Sequence, residues 1–214
     1  MQIAYNKTKR TIKPQYIVIH DTGNRSKGAD ADAHFNYYNT GNRQSSADIF
    51  VDDTKILKVN DYNKYYTWHC GDGKGKYGIS NENSVGVEIC INSDGDYDKA
   101  VKNTIVAVRE LMKELNIPID RVVRHYDASK KLCPATMSAD DWKSWKTFKE
   151  QLAKISNKGF TDISGHYAES AIFDLWEMGI VKGNGDGTFN PDGSLKRCDA
   201  AILIRNAIKY IKGK

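Results

Sequence analysis

The segment VGVEICI (85–91) is the strongest strand signal in the chain, and it restricts the fold more than any other feature. A β-branched, apolar run of this kind is typical of a central strand in a sheet. Because side chains alternate along a strand, Glu88 points to the opposite face from Val87 and Ile89. A carboxylate within an apolar strand is costly unless it has a partner or a role. Glu88 therefore belongs either to a buried ion pair or to a reactive site.

Shorter strand and helix signals alternate on both sides of this segment and indicate an α/β arrangement. The other expected strands are 15–20 (QYIVIH), a hairpin of 48–51 and 55–59, and 122–124. The expected helices lie within 28–38, 101–115 and 142–155. Asp98 is expected to cap the second helix, and Asn116 with Pro118 to end it.

The pattern changes after SNKG (156–159), a short polar stretch that we interpret as a linker. Beyond it, two helix signals flank the turn-rich stretch KGNGDGTFNPDG (182–193), in a unit near the lower size limit for a self-sufficient core. The sequence therefore predicts two domains, residues 1–155 and 160–214. The helices of the second domain are expected at 167–178 and 199–211.

Composition and charge restrict the partners of the chain. The formal net charge is +5 without any Lys/Arg block, which argues against nucleic acid and at most favours approach to a polyanionic wall. No apolar stretch approaches the ~18 residues of a membrane span. The N-terminus lacks the apolar core of a signal peptide, so we expect a protein made in the cytoplasm that acts there or leaves by another route. Four widely spaced cysteines without CxxC argue against a disulfide framework.

Three side chains have the chemistry of a metal site. His20 closes an apolar strand, while His125 and Cys133 lie in RHYDASKKLCPA (124–135). Two imidazoles and a thiolate suit Zn²⁺, and three protein ligands leave the fourth position that a catalytic site needs. The spacing alone does not decide the matter, because a single His at a strand end is usually structural and this His–Cys spacing is not that of a zinc finger.

The order of several motifs gives the pattern its specificity. They are YIVIHDTGN (16–24), SADIFVDD (46–53), WHCGDG (68–73), NSVGVEICI (83–91) and VVRHYDASKKLCPA (122–135). Over roughly residues 10–150 the chain resembles the N-acetylmuramoyl-L-alanine amidase type 2 family, whose fold is shared by phage lysins and peptidoglycan recognition proteins. The resemblance implies an α/β fold with a mixed central β-sheet flanked by helices.

The resemblance also implies a reaction and its residues. His20, His125 and Cys133 would bind Zn²⁺, Glu88 would act as general base, and Lys131 would stabilise the developing oxyanion. The substrate would be bacterial peptidoglycan, cut at the amide between the lactyl group of N-acetylmuramic acid and L-alanine of the stem peptide.

Three further positions carry open alternatives. Trp68 and His69 resemble a family pair that lines the substrate groove, although Trp68 is equally a candidate core residue. Asp127 either orients His125 by a hydrogen bond or caps its loop.

The chain departs from the family at residues 47–48, where many relatives have an aromatic residue or His. Either Glu88 then does more of the proton transfer, or Asp48 contributes in an unfamiliar way.

Residues 160–214 resemble an S-layer homology domain through FTDISGHYAESAI (160–172) and LWEMGIVKGNGDGTFNPDGSLKR (175–197). Arg197 stands at the key position of that family's arginine-containing motif. The resemblance implies binding of secondary cell-wall polysaccharide, often pyruvylated, and a guanidinium offers a donor fork suited to such carboxylates. These domains usually occur in threes, so a single copy acts in a homo-oligomer, binds weakly, or is only a packing appendage.

Three functions follow as hypotheses. The first is a peptidoglycan hydrolase, either a phage or prophage endolysin released through a membrane lesion or a bacterial autolysin. The second is a non-catalytic peptidoglycan-binding receptor; such receptors typically lose the zinc cysteine, whereas Cys133 is present. The third is an S-layer-associated wall protein whose N-terminal part only supports anchoring.

Overall fold

The computed structural model describes residues 2–153 and 160–212. The chain divides into two compact units, Met1–Leu152 and Ala153–Lys214. The linker expected at 156–159 lies outside the described residues, so the domain boundaries stay a prediction. Within the described ranges, every helix is too short or too polar to cross a membrane.

The first unit contains a mixed sheet with helices on both faces. Its strands are β1 (Lys7–Lys9), β2 (Tyr16–Asp21), β3 (Ile49–Val51), β4 (Ile56–Lys58), β5 (Tyr65–Thr67), β6 (Ser84–Ile89) and β7 (Val122–Arg124). Its helices are α1 (Ala31–Asn39), α2 (Tyr97–Leu115), α3 (His125–Ser129) and α4 (Ala139–Ala153). The main sheet has the order β4-β3-β6-β2-β7, and β1 pairs with β5 in a separate antiparallel ribbon. The predicted fold class is confirmed, whereas β1, β5 and α3 had no signal in the sequence.

Parallel pairing dominates the main sheet because helices connect its strands. β6 pairs in parallel with β2 and β3, β2 pairs in parallel with β7, and only the β3–β4 hairpin is antiparallel. Parallel strands need crossover connections, and here α1 links β2 to β3 and α2 links β6 to β7, each passing the one strand that lies between them in the sheet. The carboxyl ends of β2, β3, β6 and β7 consequently meet at one edge of the sheet.

The two faces of the sheet differ in chemistry. One face carries the apolar side chains that pack under α2 and α4 in the largest core cluster, which includes Ile19, Val87, Leu111 and Phe148. On the other face the strand register places His20 beside Glu88 and Glu88 beside Phe50. The alternation predicted for β6 therefore holds, and Glu88 lies on the face that carries polar side chains.

The caps of α2 match the prediction at one end only. Asp96, not Asp98, is the N-cap: its backbone is extended, and its side chain accepts a hydrogen bond from the Lys99 N–H (3.0 Å). Asp98 lies within the first turn, where its negative charge interacts favourably with the helix dipole and so stabilises α2. Asn116 ends the helix in the left-handed conformation, as expected, and donates its N–H to the carbonyl of Met112.

The second unit is a small helical unit with a modest core. Helices α5 (Glu169–Glu177) and α6 (Arg197–Lys212) flank the turn-rich stretch, as predicted. The core consists of Phe160, Ile163 and Ile172, with Ala168 and Phe189 packed against them. Asp186 accepts hydrogen bonds from both the N–H and the hydroxyl of Thr188, which fixes the tight turn.

Asp48 has a structural role in the first unit, where it accepts buried hydrogen bonds. It is fully buried, and its carboxylate accepts hydrogen bonds from Asn60 Nδ2 (2.7 Å), Thr67 Oγ1 (2.8 Å) and the Gly86 N–H (2.7 Å). Burial raises the pKa of Asp48, and these donors oppose the rise. The alternative in which Asp48 takes over proton transfer is therefore disfavoured, because both of its oxygens are engaged.

Replacing Asp48 by Ala should lower the free energy of unfolding by about 3 kcal/mol, because the change leaves buried donors on β6 and β5 without an acceptor. Chemical denaturation measures this loss. Glu110→Ala, which removes an exposed ion pair with Lys58, should cost under about 0.5 kcal/mol. Equal losses in the two variants would contradict the structural role of Asp48.

Candidate metal centre

The carboxyl edge of the sheet gathers three sequence-distant side chains. His20 lies near the end of β2, and His125 begins α3 directly after β7. Cys133 follows on the loop that leaves α3, and its sulfur lies 3.8 Å from His20 Nδ1. One potential ligand atom from each of the three residues lies within 4.8 Å of the others. The predicted convergence of these side chains is therefore present in the fold.

Burial makes these groups suitable metal ligands. Desolvation is the largest cause that lowers the pKa of both His20 and His125, so both rings are neutral at pH 7 and each keeps a lone pair. Desolvation also raises the pKa of the Cys133 thiol, so a nearby cation is needed to hold it as a thiolate. Two nitrogens and one sulfur form a donor set that zinc prefers.

Each imidazole has one nitrogen engaged and one directed at the cluster. His125 Nε2 hydrogen bonds to Asp72 Oδ1 (2.8 Å), and its buried Nδ1 has no hydrogen-bond partner among the described residues. His20 Nε2 hydrogen bonds to His69 Nδ1 (3.0 Å), while His20 Nδ1 faces Cys133. A buried nitrogen left without a partner is unusual, and a metal ion would satisfy it.

Glu88 stands beside the cluster with an uncommitted carboxyl group. Its Oε1 is 3.9 Å from His20 Nδ1, and its buried Oε2 has no hydrogen-bond partner in the described part of the chain. Burial raises the pKa of Glu88 to about 8, Asp21 pushes it in the same direction, and Lys131 opposes the rise. Because the neighbouring His20 is neutral, the arrangement is not a buried ion pair.

Lys131 lies on the exposed loop between α3 and Cys133. Its positive charge is close enough to lower the pKa of Glu88, Cys133 and His20, after the larger effect of burial on each. The ammonium group therefore contributes positive potential at the mouth of the cluster.

The contacts of Asp127 and His125 decide between the two alternatives for Asp127. Both oxygens of Asp127 accept hydrogen bonds from Arg124, which closes the start of α3, so the loop-capping alternative describes Asp127. Asp72 binds His125 instead and also accepts a hydrogen bond from Ser129 Oγ (3.1 Å). Asp72 lies in WHCGDG, but 53 residues separate it from His125, and no local pattern links the two.

The two residues predicted to contact substrate lie in different surroundings. Trp68 is partly buried, and its indole N–H donates to Thr8 Oγ1 (3.1 Å) on β1, so its contact with substrate stays a prediction. His69 is only 8% exposed, and its ring nitrogens are engaged by His20 and Ser84. Both ring nitrogens of His69 are thus engaged inside the fold, which disfavours a polar contact with substrate, and the predicted substrate contact stays a prediction.

The cluster at the sheet edge offers the donor set of a metal site with a carboxyl group beside it. Residues 10–136 match the protein family described as N-acetylmuramoyl-L-alanine amidase, and residues 159–201 match the S-layer homology domain. The chain belongs to the N-acetylmuramoyl-L-alanine amidase family, which confirms the resemblance seen in its motifs.

Individual relatives agree with this assignment. The amidase CwlH of Bacillus subtilis (strain 168) is 41% identical over 143 residues, which are 65% of this chain and 54% of CwlH. XlyA, an amidase of the same strain, is 40% identical over 143 residues, 67% of this chain and 46% of XlyA. The solved catalytic domain of XlyA has a TM-score of 0.62 at 36% identity and covers 71% of this chain and 99% of that domain. The chain therefore spans about half the length of these curated relatives.

Gly73 permits the approach of Asp72 to His125. A Cβ atom at Gly73 would lie 2.1 Å from the carbonyl oxygen of Ala128 in α3, so the loop could not close there. We expect Gly73→Ala to destabilise the protein by about 1–3 kcal/mol, measured by denaturant unfolding. Gly41→Ala is the matched control, because a Cβ at Gly41 meets nothing within 4 Å. Similar stabilities for the two variants would show that the loop is not closed against α3.

Proposed function

We propose that the first unit is a zinc-dependent N-acetylmuramoyl-L-alanine amidase that cleaves the bond between muramic acid and L-alanine in bacterial peptidoglycan. The observation that carries this proposal is the buried cluster of His20, His125 and Cys133 beside the uncommitted carboxyl group of Glu88. The names of the relatives CwlH and XlyA, both N-acetylmuramoyl-L-alanine amidases, support it.

His20 and His125 would each offer Nδ1 to the zinc ion, and Cys133 would offer its sulfur as a thiolate. Zinc in such a site supplies Lewis acidity toward a carbonyl oxygen and makes water more acidic near neutral pH. Asp72 would keep the proton of His125 on Nε2, which leaves Nδ1 as the ligand atom.

Glu88 would move the proton of the reaction. In its ionised form, which a Zn²⁺ ion beside it would favour, its free Oε2 accepts a proton from the attacking water as the new C–O bond forms. The same carboxyl group then delivers that proton to the nitrogen of L-alanine as the C–N bond breaks. The side chain of Glu88 is 15% exposed, so it is buried enough to be reactive and open enough to meet a substrate.

Lys131 would oppose the negative charge that develops on the carbonyl oxygen. Lys131 is exposed, and its charge already acts on the groups of the cluster. A cation placed where charge develops stabilises the transition state more than the bound substrate.

Glu88→Gln should lower the rate of wall hydrolysis by about 10²–10⁴-fold, because an amide cannot accept the proton. The assay follows new N-terminal L-alanine released from purified cell walls. Zinc content should stay as in the wild type, since Glu88 is not a ligand. Glu110→Gln on the exposed face of α2 is the control and should hydrolyse walls normally. A fully active Glu88→Gln protein would remove Glu88 from the mechanism.

Cys133→Ser should lose both bound zinc and activity, because a serine hydroxyl is a much poorer zinc ligand than a thiolate. Cys198→Ser replaces an exposed free thiol and should keep both. Zinc content and L-alanine release also separate the enzyme from its alternatives. A peptidoglycan receptor or an S-layer-associated protein would bind walls without producing stem peptides that begin with a free N-terminal L-alanine.

We also propose that the second unit binds an anionic secondary wall polysaccharide through Arg197. Arg197 is exposed and is the first residue of α6, where the helix dipole disfavours a cation. Arg197 therefore does not stabilise α6 through the helix dipole. Its guanidinium and the positive end of the dipole together favour the binding of an anionic ligand.

Arg197→Gln should weaken cosedimentation with walls that carry their secondary polysaccharide by roughly two- to fivefold, the range expected for one exposed ion pair. Arg205→Gln, farther along the exposed surface of α6, should bind as the wild type does. Walls stripped of the polysaccharide should bind both variants and the wild type equally weakly. Unchanged binding of Arg197→Gln to intact walls would contradict the proposal.

We further propose that the protein is made in the cytoplasm and acts at the cell wall after release, as an endolysin. A solved structure described as a mutant endolysin from Bacillus subtilis supports this reading, with a TM-score of 0.62 and 35% identity over 71% of this chain.

A further inference from the structure

A chain of buried hydrogen bonds runs from the cluster into the sheet through His69. His20 Nε2 lies 3.0 Å from His69 Nδ1, and His69 Nε2 lies 3.2 Å from Ser84 Oγ. The hydroxyl of Ser84 donates in turn to the carbonyl of Ser80. His20, His69 and Ser84 are all buried, so solvent does not compete for these contacts.

The direction of the protons follows from the far end of the chain. Because the Ser84 hydroxyl gives its only proton to the Ser80 carbonyl, its oxygen must accept a proton from His69 Nε2. The Nδ1 of a neutral His69 then carries a lone pair and accepts from His20 Nε2–H. The remaining nitrogen of His20, Nδ1, is left with its lone pair toward Cys133.

We propose that His69 is a positioning residue that fixes the tautomer and the ring orientation of His20 for zinc binding, and does not contact substrate. The inference rests on the proposed zinc amidase function. The inference explains why the WHCGDG segment contains a buried histidine: His69 acts on the metal site through its hydrogen bond to His20.

The position of His69 is built into the fold. A Cβ atom at Gly86 on β6 would lie 2.6 Å from the His69 ring, so the glycine of VGVEICI leaves the room that the ring occupies. Asn81 Oδ1 accepts the backbone N–H groups of His69 (3.0 Å) and Cys70 (2.7 Å), which holds the segment in place. The space at Gly86 and the hydrogen bonds to Asn81 therefore both hold His69 in the position from which it contacts His20.

The two imidazoles of the cluster have unlike partners. His125 hydrogen bonds to the carboxylate of Asp72, whereas His20 hydrogen bonds to the imidazole of His69. His20 is also the imidazole next to Glu88. An imidazole partner fixes the proton of His20 without placing a second carboxylate near the carboxyl group that exchanges protons.

The test compares His69→Phe, which keeps a ring but removes the acceptor, with His69→Asn, whose Oδ1 replaces the Nδ1 acceptor. Zinc affinity is measured by competition with a chromophoric chelator, and the tautomer of His20 by ¹⁵N NMR of the metal-free protein. We expect about 10–100-fold weaker zinc binding for His69→Phe, and affinity near that of the wild type for His69→Asn. In metal-free wild type and His69→Asn, the proton of His20 should reside on Nε2.

His34→Phe is the control, because it replaces another buried histidine of the same unit and should leave zinc affinity unchanged. If His69→Phe fails to fold, Ser84→Ala tests the same chain from its far end and should weaken zinc binding while releasing the fixed tautomer of His69. Zinc binding by His69→Phe as tight as in the wild type, or a proton on His20 Nδ1 in the metal-free wild type, would overturn the inference. Failure of the wild type to bind zinc would instead overturn the proposed function.

Discussion

The parallel register of β2 and β6 is the constraint on which the site depends. It sets His20 directly beside Glu88 on the polar face, while the opposite face is fixed by the apolar core under α2 and α4. A shift of one residue would turn Glu88 into that core, so the hydrophobic packing specifies the register. β7 pairs with β2 and delivers His125 to the same edge, and the loop after α3 returns Cys133 to it. The geometry of the cluster is thus a consequence of how the sheet is buried.

Burial also gives the cluster its chemical character. The fold holds two neutral imidazoles, a protonated thiol and a carboxyl group with a raised pKa within one small volume. Two buried polar atoms there, on His125 and Glu88, lack hydrogen-bond partners among the described residues. Such an arrangement costs folding free energy, and a divalent cation would offset part of that cost by converting the thiol to a thiolate and occupying the free nitrogens.

The sequence was informative where local pattern and chemistry coincide. The apolar run around Glu88 predicted its strand and its separate face, and the motif order identified His20, His125 and Cys133 as a group. The partners of these residues could not be predicted, because they depend on loops that meet only in the folded chain. Asp72 reaches His125 from 53 residues away, and the position of the His69 ring depends on the space that Gly86 leaves on β6. The N-cap of α2 was predicted wrongly because Asp96 and Asp98 are both suitable capping residues within one turn, and only the backbone geometry of the folded chain selects Asp96.

X-ray absorption at the zinc edge on the purified protein tests the central claim most directly, because it reports the ligand atoms themselves. We expect one zinc ion per chain with one sulfur at about 2.3 Å and two imidazole nitrogens at about 2.0 Å. A spectrum without a sulfur ligand, or a protein that binds no zinc at all, would contradict a centre built from His20, His125 and Cys133.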